Sequence, residues 1–186
     1  MPITDVRFHG RGGQGVVTAS RLLAEAALAE GKFVHAFPGF GPERARAPVE
    51  GYTRISPTKF HQKNQVYNPH IIVIQDSTLL ESVDVLSGFQ PGGHILVNNP
   101  DEEYVKQRLN LEDPTAHLSV VDATKIALGT IGRPIANTVM LGTVAKMTGI
   151  VSLDSIVQAT KGFFKGEIGV KNAEAIKLAY EEVHEV

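Results

Sequence analysis

Residues 10–15 read Gly10-Arg11-Gly12-Gly13-Gln14-Gly15, a G-x-G-x-x-G run set between a β-rich segment and an alanine-rich one. Glycines so placed permit a tight turn, close approach of a pyrophosphate and close helix–strand packing. The helix that follows offers oriented N–H donors to an anion. A dinucleotide site also needs an acid near the end of the second strand, about 20 residues further on, to hold ribose hydroxyls. That stretch is Lys32-Phe33-Val34-His35-Ala36-Phe37-Pro38, with no Asp or Glu in it, and Glu30 precedes it. Three readings stay open: glycines that serve only turning and packing, a phosphate or pyrophosphate contact with Gln14 as a polar partner, and conventional NAD binding. The missing acid disfavours the last.

A second loop, residues 37–49, is rich in Pro and Gly and carries Glu43, Arg44 and Arg46. It cannot continue a helix or an inner strand, so it reads as a rigidified loop beside the glycine run. Two arginines there could hold a carboxylate or phosphate by forked hydrogen bonds. Alternatively they pair with Glu43 or with a partner's acids. Asp76, followed by Ser77 and Thr78, is placed to cap a helix after a buried strand. The seven histidines, His9, His35, His61, His70, His94, His117 and His184, include no H-x-x-x-H pair, which argues against a metal site.

These residues need a frame that holds them. Short β-rich runs at 6–9, 33–37, 52–55, 71–74, 94–97 and 118–121 alternate with helical patterns at 16–30 and from 101, the signal for βαβ units. Continuous apolar strands such as 71–74 call for cover on both faces. After residue 122 the pattern turns helical, near 123–128, 135–147, 153–164 and 172–184. The expected fold is a three-layer α/β/α sandwich with a mostly parallel central sheet and a helical C-terminal part, in a single domain over 1–186.

The chain has 186 residues, 42% of them hydrophobic, and 18 basic against 20 acidic groups, a formal charge of −2. One sizeable core is expected at this length, and no basic field exists for nucleic acid or anionic lipid. With no cysteine there is no disulfide, no thiol nucleophile and no cysteine-ligated iron–sulfur cluster. No stretch reads as a signal peptide or membrane span, so the expected location is cytoplasmic.

Four segments in order, GRGGQGVVTASRLLAEAAL, GKFVHAFPGFGPERARAPVEGYTRIS, VVDATKIAL and IANTVMLGTVAKMTGIVSLDSI, resemble the gamma subunit of the thiamine-dependent 2-oxoacid:ferredoxin oxidoreductases, the pyruvate type most of all. The likeness runs from about residue 5 to about residue 165. Family members commonly carry E-R-x-G-A-P where this chain has Arg46 before Ala47-Pro48.

The resemblance implies a complex that oxidises a 2-oxoacid with coenzyme A to acyl-CoA, carbon dioxide and two electrons for ferredoxin. Thiamine diphosphate, magnesium and 4Fe–4S clusters would reside in alpha, beta and ferredoxin-like delta subunits. This chain would hold no cofactor alone, contain no catalytic residue, and be inert in isolation. Gly10, Arg11, Gly12, Gly13, Gln14, Gly15, Arg44 and Arg46 become the candidate contacts to coenzyme A or a sister subunit. The segment Asn137 to Gly142 would pack at a subunit boundary. Another 2-oxoacid, a freestanding nucleotide-binding protein and a pure scaffold are the competing readings.

Overall fold

Successive side chains of a strand point to opposite faces, and β1 (Thr4–Arg11) uses its two faces differently. Val6 and Phe8 enter the main apolar core, while the buried Arg7 and His9 face the other way. The chain turns through the glycine run into α1 (Val16–Ala29), which buries Ala19, Leu22, Leu23, Ala26 and Ala27. Gly31, at φ 78°, carries the chain out of this helix as expected. The structure is a computed structural model that describes residues 3–39 and 44–186.

β2 (Phe33–Pro38) and β3 (Pro48–Ser56) follow without an intervening helix and pair antiparallel. A parallel pair would require a crossover of a dozen or more residues, usually helical. β3 also pairs antiparallel with β1. On the other side of β1, β4 (Ile71–Ile74), β5 (His94–Asn98) and β6 (His117–Val121) join in parallel, and β7 (His184–Glu185) closes the edge antiparallel to β6. The order is β2-β3-β1-β4-β5-β6-β7. Among the described residues five strands point one way, as expected for a mostly parallel sheet. β3 and β7 oppose them, so the ladders are mixed, three parallel and three antiparallel.

One face is covered by α1, α3 (Ala123–Thr130), α4 (Val139–Thr148), α5 (Leu153–Phe163) and α6 (Glu167–Glu182). The opposite face is covered by a short 3₁₀ helix, Ser77–Glu81, and by α2 (Glu102–Leu109), which place Leu79, Val105 and Leu109 on Ile72, Ile74, Ile95 and Val97. Asp101 caps α2 through the Tyr104 N–H at 3.0 Å. Behind β1 and β3 this second face is polar. Arg54 makes a forked pair with Asp5 at 2.7 and 3.1 Å, and Arg7 donates to the carbonyls of Val85 and Ser87.

The helical C-terminal part forms as expected, with α4 starting at Val139 rather than near 135 and two further differences. α6 starts at Glu167 rather than near 172, and β7 had no sequence signal because it is two exposed residues long. The segment Asn137 to Gly142 is buried within the chain. Thr138 donates to Asn172 at 2.6 Å, and a Cβ on Gly142 would lie 2.1 Å from the carbonyl oxygen of Ile176, so α4 packs directly on α6. No helix among the described residues is long and apolar enough to cross a membrane.

Candidate functional site

The glycines of the run are required chiefly by packing. A Cβ on Gly10 would meet Val16 of α1 at 2.5 Å, and one on Gly12 would meet the Arg44 carbonyl oxygen at 2.3 Å. Gly15 is left-handed at φ 74°, with the Asn137 amide 2.3 Å from where its Cβ would be. Gly13, at φ 91°, faces open space. Helix approach, loop approach and chain reversal therefore account for the pattern before any ligand is considered.

The second loop docks on the first through its backbone. The Gly12 N–H donates to the Ala47 carbonyl at 2.9 Å, and the Arg46 N–H donates to the Gly12 carbonyl at 3.1 Å. Arg46 takes a left-handed φ of 65°, a backbone conformation that favours glycine. The side chains of Arg44 and Arg46 are exposed. Glu43, the alternative partner for these arginines, lies outside the described residues.

Asp76 ties the glycine run to the β4 edge. It caps the 3₁₀ helix as expected, accepting from the Thr78 N–H at 3.0 Å and the Thr78 hydroxyl at 2.6 Å. It also accepts from Gln14 Nε2 at 2.8 Å and faces Arg11 Nε at 3.3 Å. Burial opposes its ionisation, yet the Thr78 and Gln14 hydrogen bonds, with the Arg11 charge, hold its carboxyl below the ordinary value. Gln14 Oε1 meanwhile accepts from the Arg11 N–H at 2.7 Å. Both ends of the Gln14 amide are thus engaged within the chain, so Gln14 braces the loop.

Between this loop and β3 lies a cleft of about 520 Å³, lined by Arg11, Gly12, Gly13, Gly15, Val16 and Glu50 among others. Gly15 gives α1 no side-chain cap. Among the described residues, no acceptor pairs with the N–H groups of Gly13, Gly15, Val16, Val17 or Thr18. Five donors at a helix start, where the macrodipole is positive, are suited to an anion. Of the eight residues singled out from the sequence, the structure brings Arg11, Gly12, Gly13 and Gly15 to the cleft. Gly10 and Gln14 stand behind it, and Arg44 and Arg46 adjoin it through backbone.

Glu50 and His9 also line this cleft, and sequence reasoning missed them. His9 lies opposite Glu50 on the β1–β3 ladder, with Nδ1 3.5 Å from Oε1, and the Tyr52 hydroxyl donates to Oε2. Burial, reinforced by the Arg7 charge, pushes the His9 imidazole down to about 3. Burial, followed by the Glu50 hydrogen bond, pushes the Tyr52 hydroxyl up. Glu50 precedes a strong β-run by two residues, a signal that the strand extends to it, but the pairing with β1 that brings it to the cleft is long-range.

Two further hollows flank the run. A polar crevice of about 200 Å³ is lined by Gln14, Gln75, Asp76, Ser77, Asn98 and Thr124. A groove of about 500 Å³ on the other side carries Ile135, Phe163 and Ile168, all exposed apolar groups. Among the described residues no three His, Asp or Glu side chains gather as metal ligands.

Residues 5–182 match the family described as pyruvate ferredoxin/flavodoxin oxidoreductase. The "Pyruvate/ketoisovalerate oxidoreductases common subunit gamma" of Thermococcus litoralis is 49% identical over 180 residues, covering 96% of each chain. The crystal structure of pyruvate oxidoreductase subunit PORC from Thermotoga maritima superposes with a TM-score of 0.87 at 40% identity, over 99% of this chain and 98% of that one. A 2-oxoglutarate:ferredoxin oxidoreductase from Magnetococcus marinus shares the fold at a TM-score of 0.75 and 17% identity, this chain matching 31% of that longer one. The chain belongs to the pyruvate ferredoxin/flavodoxin oxidoreductase family and matches its gamma subunits along nearly its whole length.

Proposed function

We propose that this chain is the gamma subunit of a multisubunit, thiamine diphosphate-dependent 2-oxoacid:ferredoxin oxidoreductase of the cytoplasm, with pyruvate as substrate. It holds the diphosphate of coenzyme A at the start of α1 and helps assemble the complex with alpha, beta and ferredoxin-like delta subunits. The observation that carries the binding role is the cleft with five N–H donors, at Gly13, Gly15, Val16, Val17 and Thr18, that find no acceptor among the described residues. The Magnetococcus marinus protein, described with coenzyme A and succinyl-CoA bound, supports the ligand.

Iron–sulfur clusters do not fit this chain, which has no cysteine to ligate them. Those clusters, with thiamine diphosphate and magnesium, belong to the other subunits, and the isolated chain is inactive. The name of the Thermococcus litoralis relative, common to pyruvate and ketoisovalerate enzymes, supports a second reading in which one gamma chain serves more than one 2-oxoacid. Substrate choice then lies with the partner subunits. The exposed groove at Ile135, Phe163 and Ile168 supports the assembly role, since an apolar hollow is covered favourably by a partner.

Anaerobic affinity purification of the chain from its host, followed by subunit identification and dye-linked assay of coenzyme A-dependent 2-oxoacid oxidation, tests the reading. Co-purified iron–sulfur and thiamine subunits with pyruvate activity are expected. A lone, inactive homo-oligomer contradicts it.

A further inference from the structure

β1 lies between β3 and β4, and the β3 register sets Glu50 opposite His9, close to the glycine run. In nucleotide-binding sheets, an acid on the strand next to the glycine-rich turn reads hydroxyls close to the bound phosphate. The acid-free stretch 32–38 lies one strand further out. Glu50 thus brings a carboxylate beside the glycine run from the antiparallel β3, on the side of β1 opposite β4 and Asp76.

The carboxylate is held ready. Arg7 Nε donates to His9 Nε2 at 3.0 Å, which keeps the imidazole proton on Nδ1, facing Glu50. Tyr52 donates to the other carboxylate oxygen and is itself held by Gln65 Nε2 at 2.6 Å. His9 is 1% exposed, whereas the Glu50 side chain remains 32% exposed in the cleft wall beside Gly12, Gly13 and Gly15. Both carboxylate oxygens keep lone pairs for a ligand, since each can accept two hydrogen bonds.

We propose that Glu50 is a specificity residue, accepting a hydrogen bond from a hydroxyl or amide N–H of a phosphate ester whose phosphate lies on the free N–H groups at the start of α1. The inference rests on the coenzyme A reading and deepens it. A carboxylate repels a bare anion, so it favours only ligands that bring a donor, and it selects phosphate esters over inorganic phosphate or pyrophosphate. Coenzyme A carries such donors in two places, on the pantoyl arm beside the diphosphate and on the ribose.

The test titrates the full chain calorimetrically with 4′-phosphopantetheine, adenosine 3′,5′-bisphosphate and inorganic pyrophosphate. Glu50→Gln should weaken one of the two esters about tenfold or more while leaving pyrophosphate unchanged or tighter. The ester that responds identifies the donor. Glu50→Asp keeps the charge but withdraws it from the cleft, and should weaken the same ester. A change of equal size for all three ligands, or Glu50→Asp behaving as wild type, overturns the proposal and leaves the anion site standing. Loss of pyrophosphate binding with ester binding still dependent on Glu50 removes the anion site and leaves Glu50. If the wild type binds none of the three, both fall.

Discussion

The carbonyl oxygen of Arg44 lies 2.3 Å from where a Cβ on Gly12 would be, so the second loop rests on the bare backbone of the first. Gly12→Ala should therefore undock the connection between β2 and β3 and cost about 1–3 kcal/mol. Limited proteolysis should cut that connection faster. Gly13→Ala meets no neighbour and costs only the strain of its φ of 91°, about 1–2 kcal/mol, with cleavage unchanged.

Arg46 adopts φ 65° without the freedom of glycine. Arg46→Gly relieves this strain at the cost of a more flexible unfolded chain, so thermal melting should show no loss and a gain of up to about 1 kcal/mol. Arg46→Val, β-branched at the same position, should be less stable than wild type. The reverse order would mean that the Arg46 side chain holds the loop.

Asp76 accepts from Gln14 and Thr78 and faces Arg11, so its loss strands several donors at once. Asp76→Ala should cost about 1–3 kcal/mol in urea, with the slope m unchanged. Combined with Gln14→Leu, the two losses should sum to more than the double mutant shows.

Stability should begin to fall well above the carboxylate range. The unfolded His9 imidazole takes up a proton near 6.5, while the folded one resists until about 3. Its contribution is complete above about pH 6.5 and is lost as pH falls toward about 3. Glu30 adds a second decline. Burial opposes its charge, but the hydrogen bonds from Lys32 and Ser152 hold its carboxyl down to about 2. Its contribution is present above an ordinary value of 4.5 and is lost as pH falls to about 2. Urea unfolding at about pH 7.5 and 5.5 should show a loss in wild type that His9→Asn reduces, the remainder coming from His94, which burial also pushes down.

Local signals in the sequence were sufficient for most elements. The apolar run Ile71 to Ile74, the alanine stripe of α1, the Asp101 cap and the Gly149 stop all form as their chemistry requires. The glycine run and the Pro-rich loop were legible as neighbours. What stayed hidden was long-range. Glu50 reaches the cleft only because β3 turns back along β1, and Asn137 reaches Gly15 from 122 residues away. Nothing in the local sequence around Gln14 reveals that Asp76 engages it. β7 is held by pairing to β6, which no two-residue pattern can announce.

Backbone amide NMR of the full chain during titration with coenzyme A tests the anion site at the start of α1 most directly. Saturable shifts concentrated on Gly13, Gly15, Val16, Val17 and Thr18, and reproduced by pyrophosphate, are expected. Shifts clustered elsewhere, or none at these five amides, would contradict it.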